Sequence, residues 1–178
     1  MHELRSPLAQ AAMASALVAV GFIAGQKTSP SESYKNELAT LHEELSGTRQ
    51  LVALSMLQQQ TTSGRLEGVN WSARIQHPDP EVLNALLHTL RYDSSVDVRL
   101  AALDALRRYH DQPIVRRGVV ESLKYQRSPL AQIAVVDYLV EVRDEKAVAP
   151  LKELQQDPHL NPAVRQRVEW GIAQLKRG

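Results

Sequence analysis

Residues 97–109 read DVRLAALDALRRY, and apolar side chains recur along this run at spacings of three and four. That spacing places Val98, Ala102 and Leu106 on one face of an α-helix. The alanines in the run are small enough to let the axis of a neighbouring helix approach closely. The run therefore predicts a helix that packs against other helices.

The same pattern returns at a shift of 33 or 34 residues. It appears as SPLAQIAVVDYL in residues 128–139 and as NPAVRQRVEWG in residues 161–171. At this shift one column of the self-alignment contains Arg65, Arg99, Gln132 and Arg165, and a second contains Asn70, Asp104, Asp137 and Trp170. Another amphipathic segment precedes each copy, and these segments are residues 80–92, 113–126 and 145–156. The repeating unit is therefore predicted to be a hairpin of two helices.

Capping residues support these helix boundaries. Asp79-Pro80, Ser128-Pro129 and Asn161-Pro162 each place a residue able to cap a helix directly before a proline. The side-chain oxygen can accept a hydrogen bond from a free backbone amide, and the proline has no amide to satisfy. One hairpin cannot bury its apolar face alone, so neighbouring hairpins must stack. The sequence predicts an all-α fold that forms an α-solenoid.

This pattern resembles the HEAT-repeat family. The matching residues are Val98, Arg99, Ala101, Ala102, Ala105 and Leu106, together with the preceding helix at residues 82–90. The resemblance covers residues 79–178 well, and residues 34–76 as a degenerate leading repeat. It implies a right-handed α-solenoid of HEAT-like helical hairpins, with three repeats in residues 77–178.

The N-terminal segment differs from the rest of the chain. Between Arg5 and Lys27 lie 21 residues without a charge, enough for a helix of about 30 Å that can cross a bilayer. We expect residues 1–26 to form a single transmembrane anchor inserted through residues 8–25. A cleaved signal peptide and a helix buried in a partner are the alternatives. Residues 27–33 are polar, contain Pro30, and are expected to form a flexible linker.

Residues 34–60 are predicted to form a long amphipathic helix, because Leu38, Leu41, Leu45 and Val52 share one stripe. The favoured interpretation is that this helix docks on its own domain. Gly47 and Thr48 interrupt the stripe as a coiled-coil seam, but a homodimer through the helix remains an alternative. A second helix is expected at residues 64–75, with Trp71 in the core.

Composition excludes several kinds of chemistry. The chain has no Cys, which removes disulfides, Cys-ligated zinc and thiol nucleophiles, and its net charge of +1 gives no general attraction to nucleic acid. Its histidines are scattered at positions 2, 42, 77, 88, 110 and 159. There is no glycine-rich phosphate loop and no nucleophile-elbow motif. We therefore expect no catalytic residue, no cofactor, no metal and no nucleic-acid partner.

The second helices of stacked hairpins commonly line the surface that binds an extended partner. The residues predicted to form such a protein-binding surface are Asn70, Arg74, Asp104, Arg108, Asp137, Glu141, Trp170 and Gln174. Arg99 and Arg165 are instead expected to pair with neighbouring carboxylates. A basic run contains Arg107, Arg108, Arg116, Arg117, Lys124 and Arg127, and could meet an acidic protein or lipid headgroups.

A closer resemblance concerns the order of the segments. An apolar anchor, the YKNEL helix at residues 34–38, the stretch TRQLVAL at residues 48–54 and then HEAT repeats look like bacterial membrane-bound anti-sigma-type regulators. This chain lacks the His and two Cys that hold zinc in their cytoplasmic domain.

From these features we expect a membrane-tethered protein-interaction module. It would act as a scaffold or sensory accessory subunit in a bacterial envelope, with most of the chain periplasmic or extracytoplasmic. The alternatives are an anti-sigma-type regulator, a structural subunit of a larger membrane complex, and a HEAT-like lyase or ligand-handling enzyme.

Overall fold

The computed structural model describes residues 30–177, and within that range all regular structure is helical. The α-helices are α1 (Pro30–Leu57), α2 (Thr62–Ser72), α3 (Pro80–Tyr92), α4 (Val96–Arg107), α5 (Pro113–Ser122), α6 (Pro129–Glu141), α7 (Val148–Gln155) and α8 (Pro162–Leu175). Short 3-10 helices cover Leu123–Tyr125 and Glu145–Ala147. The prediction of an all-α fold is confirmed.

The chain divides into two compact units, Met1–Leu45 and Ser46–Gly178. In the first unit, the described side chains of α1 from Tyr34 to Leu45 are all exposed to solvent. The second unit contains the repeats and the hydrophobic core.

The repeats stack as helical hairpins. Three hairpins, α3 with α4, α5 with α6, and α7 with α8, follow α2 in the chain. The second helices α2, α4, α6 and α8 contact one another in that order, and α3 contacts α5 in the other layer. Between the layers lie fully buried side chains that include Leu86, Leu90, Leu106, Val119, Leu139 and Leu151. Stacked hairpins of this kind are those of an α-solenoid.

The predicted caps are only partly present. Asn161 Oδ1 accepts a hydrogen bond from the backbone N of Ala163 at 2.9 Å, as predicted. The predicted caps at Asp79 and Ser128 are wrong, since neither side chain bonds to its helix. Both of these helices begin with a proline, which already removes one free amide from the first turn.

Two helix boundaries differ from the prediction because of proline. The helix α1 begins at Pro30, so residues 30–33 are helical and do not belong to a linker. Proline has a fixed φ that suits the first turn of a helix. The segment 145–156 is not one α-helix, since a 3-10 turn precedes α7. Pro150 has no amide to donate to the carbonyl four residues back, so it is tolerated only in the first turn.

The helix predicted at residues 64–75 runs from Thr62 to Ser72.

The column of Arg and Gln residues has a common structural role. Its members Arg65, Arg99, Gln132 and Arg165 are each the fourth residue of a second helix. Each donates a hydrogen bond to a backbone carbonyl before its own helix, and the acceptors are Gln60, Asp93, Gln126 and Asp157 at 2.8, 3.3, 2.9 and 2.8 Å. Of the arginines in the column, Arg65 also pairs with the carboxylate of Asp93 at 2.6 Å. The expected carboxylate partners of Arg99 and Arg165 are therefore replaced by carbonyl oxygens.

The first two helices approach closely at Gly68. A Cβ at this position of α2 would lie 2.5 Å from the backbone N of Leu57 in α1. Ala53 and Leu57 of α1 are buried in this region. Gln50 adds a polar link, since its Oε1 accepts a hydrogen bond from the backbone N of Asp79 at 2.7 Å.

Within residues 30–177, none of the helices combines the length and the apolar character needed to cross a bilayer. The transmembrane anchor predicted at residues 8–25 lies outside the described residues.

Candidate functional site

The predicted site residues lie on the second helices of the hairpins. The ninth residues of α2, α4, α6 and α8 are Asn70, Asp104, Asp137 and Trp170. The side chains of Asn70, Asp104 and Trp170 are exposed, whereas Asp137 is half-buried. Because these helices contact their neighbours in chain order, the structure brings the column together as a row across the repeats.

The residues predicted one turn later have different surroundings. Arg74 lies beyond the end of α2, with its guanidinium 5.8 Å from the centre of the Trp71 ring. Arg108 Nη1 donates a hydrogen bond to the carbonyl of Ala73 at 3.2 Å, and so links the ends of α4 and α2. Gln174 lines a groove of about 550 Å³ near the end of α8.

Arg107 connects two of the predicted residues. Its guanidinium is 3.5 Å from the carboxylate of Asp104 on the same helix and also pairs with Glu141 on α6. It lies 5.7 Å from the centre of the Tyr138 ring, which is fully buried beneath it. Burial raises the pKa of Tyr138 to about 12. Arg107 therefore lies between Asp104 on α4 and Glu141 on α6, and the three side chains form a row of alternating charge.

Arg167 forms the corresponding link between α6 and α8. Its Nε donates a hydrogen bond to Asp137, and this bond raises the pKa of Arg167 above its usual value. The same guanidinium lies 4.1 Å from the centre of the Trp170 ring. The indole is 40% exposed. The arrangement presents an exposed indole held by a cation on α8, beside the contact of α8 with α6.

Sequence reasoning missed the roles of Arg107 and Arg167. Arg107 follows Asp104 by three residues, and Arg167 precedes Trp170 by three. Residues at that spacing are neighbours on a helix surface, so the signal was present in the sequence. Their contacts with Glu141 and Asp137 cross from one hairpin to the next, and local spacing does not reveal such contacts.

The basic run does not form one surface. Arg107 and Arg108 belong to α4 and its end, whereas Arg116 and Arg117 on α5 line a groove of about 430 Å³. Asp111, Glu121 and Asp144 line the same groove, so its charge is mixed. Lys124 lies against the ring of Tyr125 at 5.2 Å. An attraction to acidic headgroups through the whole run is therefore not supported by this placement.

The described acidic and histidine side chains lie apart from one another. In the part of the chain that the structure describes, no three acidic or histidine side chains gather as a metal site. His88 packs against the ring of Tyr92, with ring centres 4.9 Å apart. His110 Nδ1 lies 3.1 Å from the carbonyl oxygen of Arg107. Both histidines take part in local packing.

Stacked two-helix units, with an Arg or Gln hydrogen bond repeated at the start of each second helix, define a helical-repeat protein. The sequence model of the family described as HEAT repeats matches residues 83–173, just over half of the chain. The chain belongs to the HEAT-repeat family. HEAT repeats generally mediate protein–protein interaction. No curated protein matches the sequence.

Proposed function

We propose that the chain is a non-catalytic protein-binding module whose docking surface is formed by the second helices α2, α4, α6 and α8. The contact between Arg167 and Trp170 carries this proposal, since it combines an exposed indole with a guanidinium at 4.1 Å. Trp and Arg are the residue types most often found as energetic anchors of interfaces. A side chain that is already held in place loses less conformational entropy on binding.

The charges around this anchor indicate what kind of partner would fit. Asp104, Arg107 and Glu141 alternate in sign across two helices, and Asp137 with Arg167 continues the alternation. A mixed row of this kind favours a protein segment with its own alternating charges and an apolar residue placed against Trp170. Complementary charges would set the register, while the indole would supply most of the buried apolar area.

We further propose that residues 8–25 tether this module to a membrane, with the repeats periplasmic or extracytoplasmic, as a scaffold or sensory accessory subunit of a bacterial envelope. The uncharged run between Arg5 and Lys27 supports the tether. The order of anchor, helix and HEAT repeats supports a second candidate, an anti-sigma-type regulator that acts with a separate cytoplasmic partner.

Site-specific photo-crosslinking in native cells tests the surface. A photo-reactive amino acid at Asn70 or Gln174 should capture a discrete protein, whereas the same residue at Lys152 on α7 should not. Trp170→Ala should lower capture at least about tenfold, as for an interface anchor. Gln166→Ala, an exposed change on the same helix, is the matched control.

The proposal fails if Lys152 captures the protein and the second-helix positions do not, or if Trp170→Ala behaves like Gln166→Ala.

The identity of the protein captured at the second helices distinguishes the possible roles. A sigma-factor-binding protein would favour the regulator, and several subunits of one membrane complex would favour a structural subunit. Retention of the full-length chain in membranes after an alkaline wash, with loss when residues 1–29 are deleted, is the result expected of the tether.

A further inference from the structure

The helix α1 carries a row of large apolar side chains that face solvent. Tyr34, Leu38, Leu41 and Leu45 are 66%, 55%, 49% and 55% exposed. Their spacings of four, three and four residues keep them on one side of the helix. Burying such side chains is favourable by about 25 cal/mol for each Å² of apolar surface. A partner that covered the row would therefore be favoured.

The row follows the heptad register of a coiled coil. With Leu38 and Leu45 at a positions, Tyr34 and Leu41 fall at d positions. The register continues along the sequence to Val52 at the next a position, which is 39% exposed. The helix is continuous through Gly47, which occupies a c position outside this seam. The glycine therefore does not break the seam, whereas Thr48 is a polar residue at the d position between Leu45 and Val52.

The face of α1 that is already used lies elsewhere on the helix. Gln50, Ala53 and Leu57 are buried, and in the same register they occupy f, b and f positions. Those positions lie opposite a and d on a helical wheel. Within the unit that begins at Ser46, docking through Ala53 and Leu57 leaves the a position Val52 exposed.

The charged residues beside the seam indicate which partner helix fits it. The e positions carry Lys35, His42 and Arg49, and the g positions carry Glu37 and Glu44. In a parallel pair, a g residue faces the e residue of the following heptad on the other helix. Glu37 would then face His42 of a second copy, and Glu44 would face Arg49. In an antiparallel pair g faces g and e faces e, so like charges would meet.

We propose that α1 pairs with α1 of a second copy of this chain as a parallel, in-register coiled coil along Tyr34, Leu38, Leu41, Leu45 and Val52. The charge pattern fits self-pairing because each helix carries both members of every e–g pair. Parallel pairing also places Pro30 of both copies at the same end of the seam. This inference adds self-association to the proposed binding function and does not depend on it.

Disulfide trapping tests the proposal in the full-length chain, because the protein contains no native Cys. Leu38→Cys and Leu45→Cys should each form a covalent dimer on mild oxidation, since every core position lies beside its own copy in a parallel, in-register pair. Glu43→Cys at an f position is the matched control and should stay monomeric. An antiparallel pair could trap one of the two core positions with itself but not both.

A charge exchange tests the selection of the partner. A chain with Glu37→Lys and Glu44→Lys and a chain with His42→Glu and Arg49→Glu should each lose most of the trapped homodimer. A mixture of the two, each carrying Leu38→Cys, should recover a heterodimer, which shows that both variants still fold. The proposal is overturned if neither core cysteine is trapped, if Glu43→Cys is trapped equally, if the mixture fails to recover a dimer, or if the core cysteines join a different protein.

Discussion

The hydroxyl of Tyr109, just beyond α4, donates a hydrogen bond to the carbonyl of Ile75, 2.7 Å away and just beyond α2. The carbonyl of Ser72 lies 2.9 Å from the same hydroxyl. Tyr109 is buried, so neither carbonyl can readily replace this donor with bulk water. The Tyr109 side chain therefore links the end of α4 to the end of α2.

Tyr109→Phe should lower the free energy of unfolding by about 1–2 kcal/mol, because it leaves buried acceptors without their donor. Urea denaturation followed by circular dichroism measures this change. The slope of the transition should stay unchanged, since the surface exposed on unfolding is the same. An unchanged midpoint would show that the hydroxyl contributes nothing to stability.

Tyr138→Phe is not expected to lower the free energy of unfolding. Tyr138 is fully buried, and its hydroxyl has no hydrogen-bond partner in the described structure. Removing a buried hydroxyl without a partner should leave stability unchanged or raise it by up to about 1 kcal/mol. A clear loss in the same urea experiment would mean that the hydroxyl has a partner, such as a bound water.

Tyr138 should also make the fold sensitive to alkali. Its pKa of about 12 in the folded chain exceeds the usual value of 10, so between these two pH values the unfolded chain loses the proton first. This contribution to stability is complete below about pH 10 and is lost as the pH rises to about 12. Burial also raises the pKa of Tyr109. Thermal melts from pH 9 to 12 should therefore fall less steeply for Tyr138→Phe than for the unchanged chain, and identical slopes would contradict the assignment.

Gly68→Ala should destabilise the chain by about 1–3 kcal/mol, because the added Cβ would meet the backbone of α1 at Leu57. Backbone atoms cannot move aside as the end of a side chain can. Gly47→Ala is the matched control, since a Cβ there meets nothing within 4 Å and should raise stability by up to about 1 kcal/mol. Equal effects of the two substitutions, measured by thermal denaturation, would rule out the close approach.

Arg143→Gly should raise stability by about 1 kcal/mol. Arg143 follows α6 with a φ of 50°, a left-handed conformation that costs an L-residue with a Cβ about this much. The bonds from Asp144 N to Leu139 O and from Arg143 N to Val140 O are those of a helix end that usually has glycine at this position. Arg143→Ala keeps the Cβ and should bring no such gain. If the alanine variant were stabilised equally, the backbone explanation would be wrong.

The helical hairpins could be predicted from the sequence because the patterns that indicate them are local. The apolar spacing around Val98 and the proline at the start of α6 each act within one helix. The links made by Arg107 and Arg167 depend on which residues of adjacent helices lie at the same height. That alignment follows from packing across some thirty residues, which one sequence does not specify. Pro150 is a local signal of the same kind, since it is tolerated only in the first turn of a helix.

The same local logic applies to the order in which the repeats can form. The side-chain links between successive second helices join residues 30 to 37 positions apart. The hydrogen bonds from Arg99 and Gln132 to backbone carbonyls each join residues six positions apart. With contacts confined to nearest neighbours, no distant part of the chain must be found before the first hairpins pair. Folding can begin at any adjacent pair of hairpins and spread along the chain, so the order of assembly is not fixed by its sequence direction.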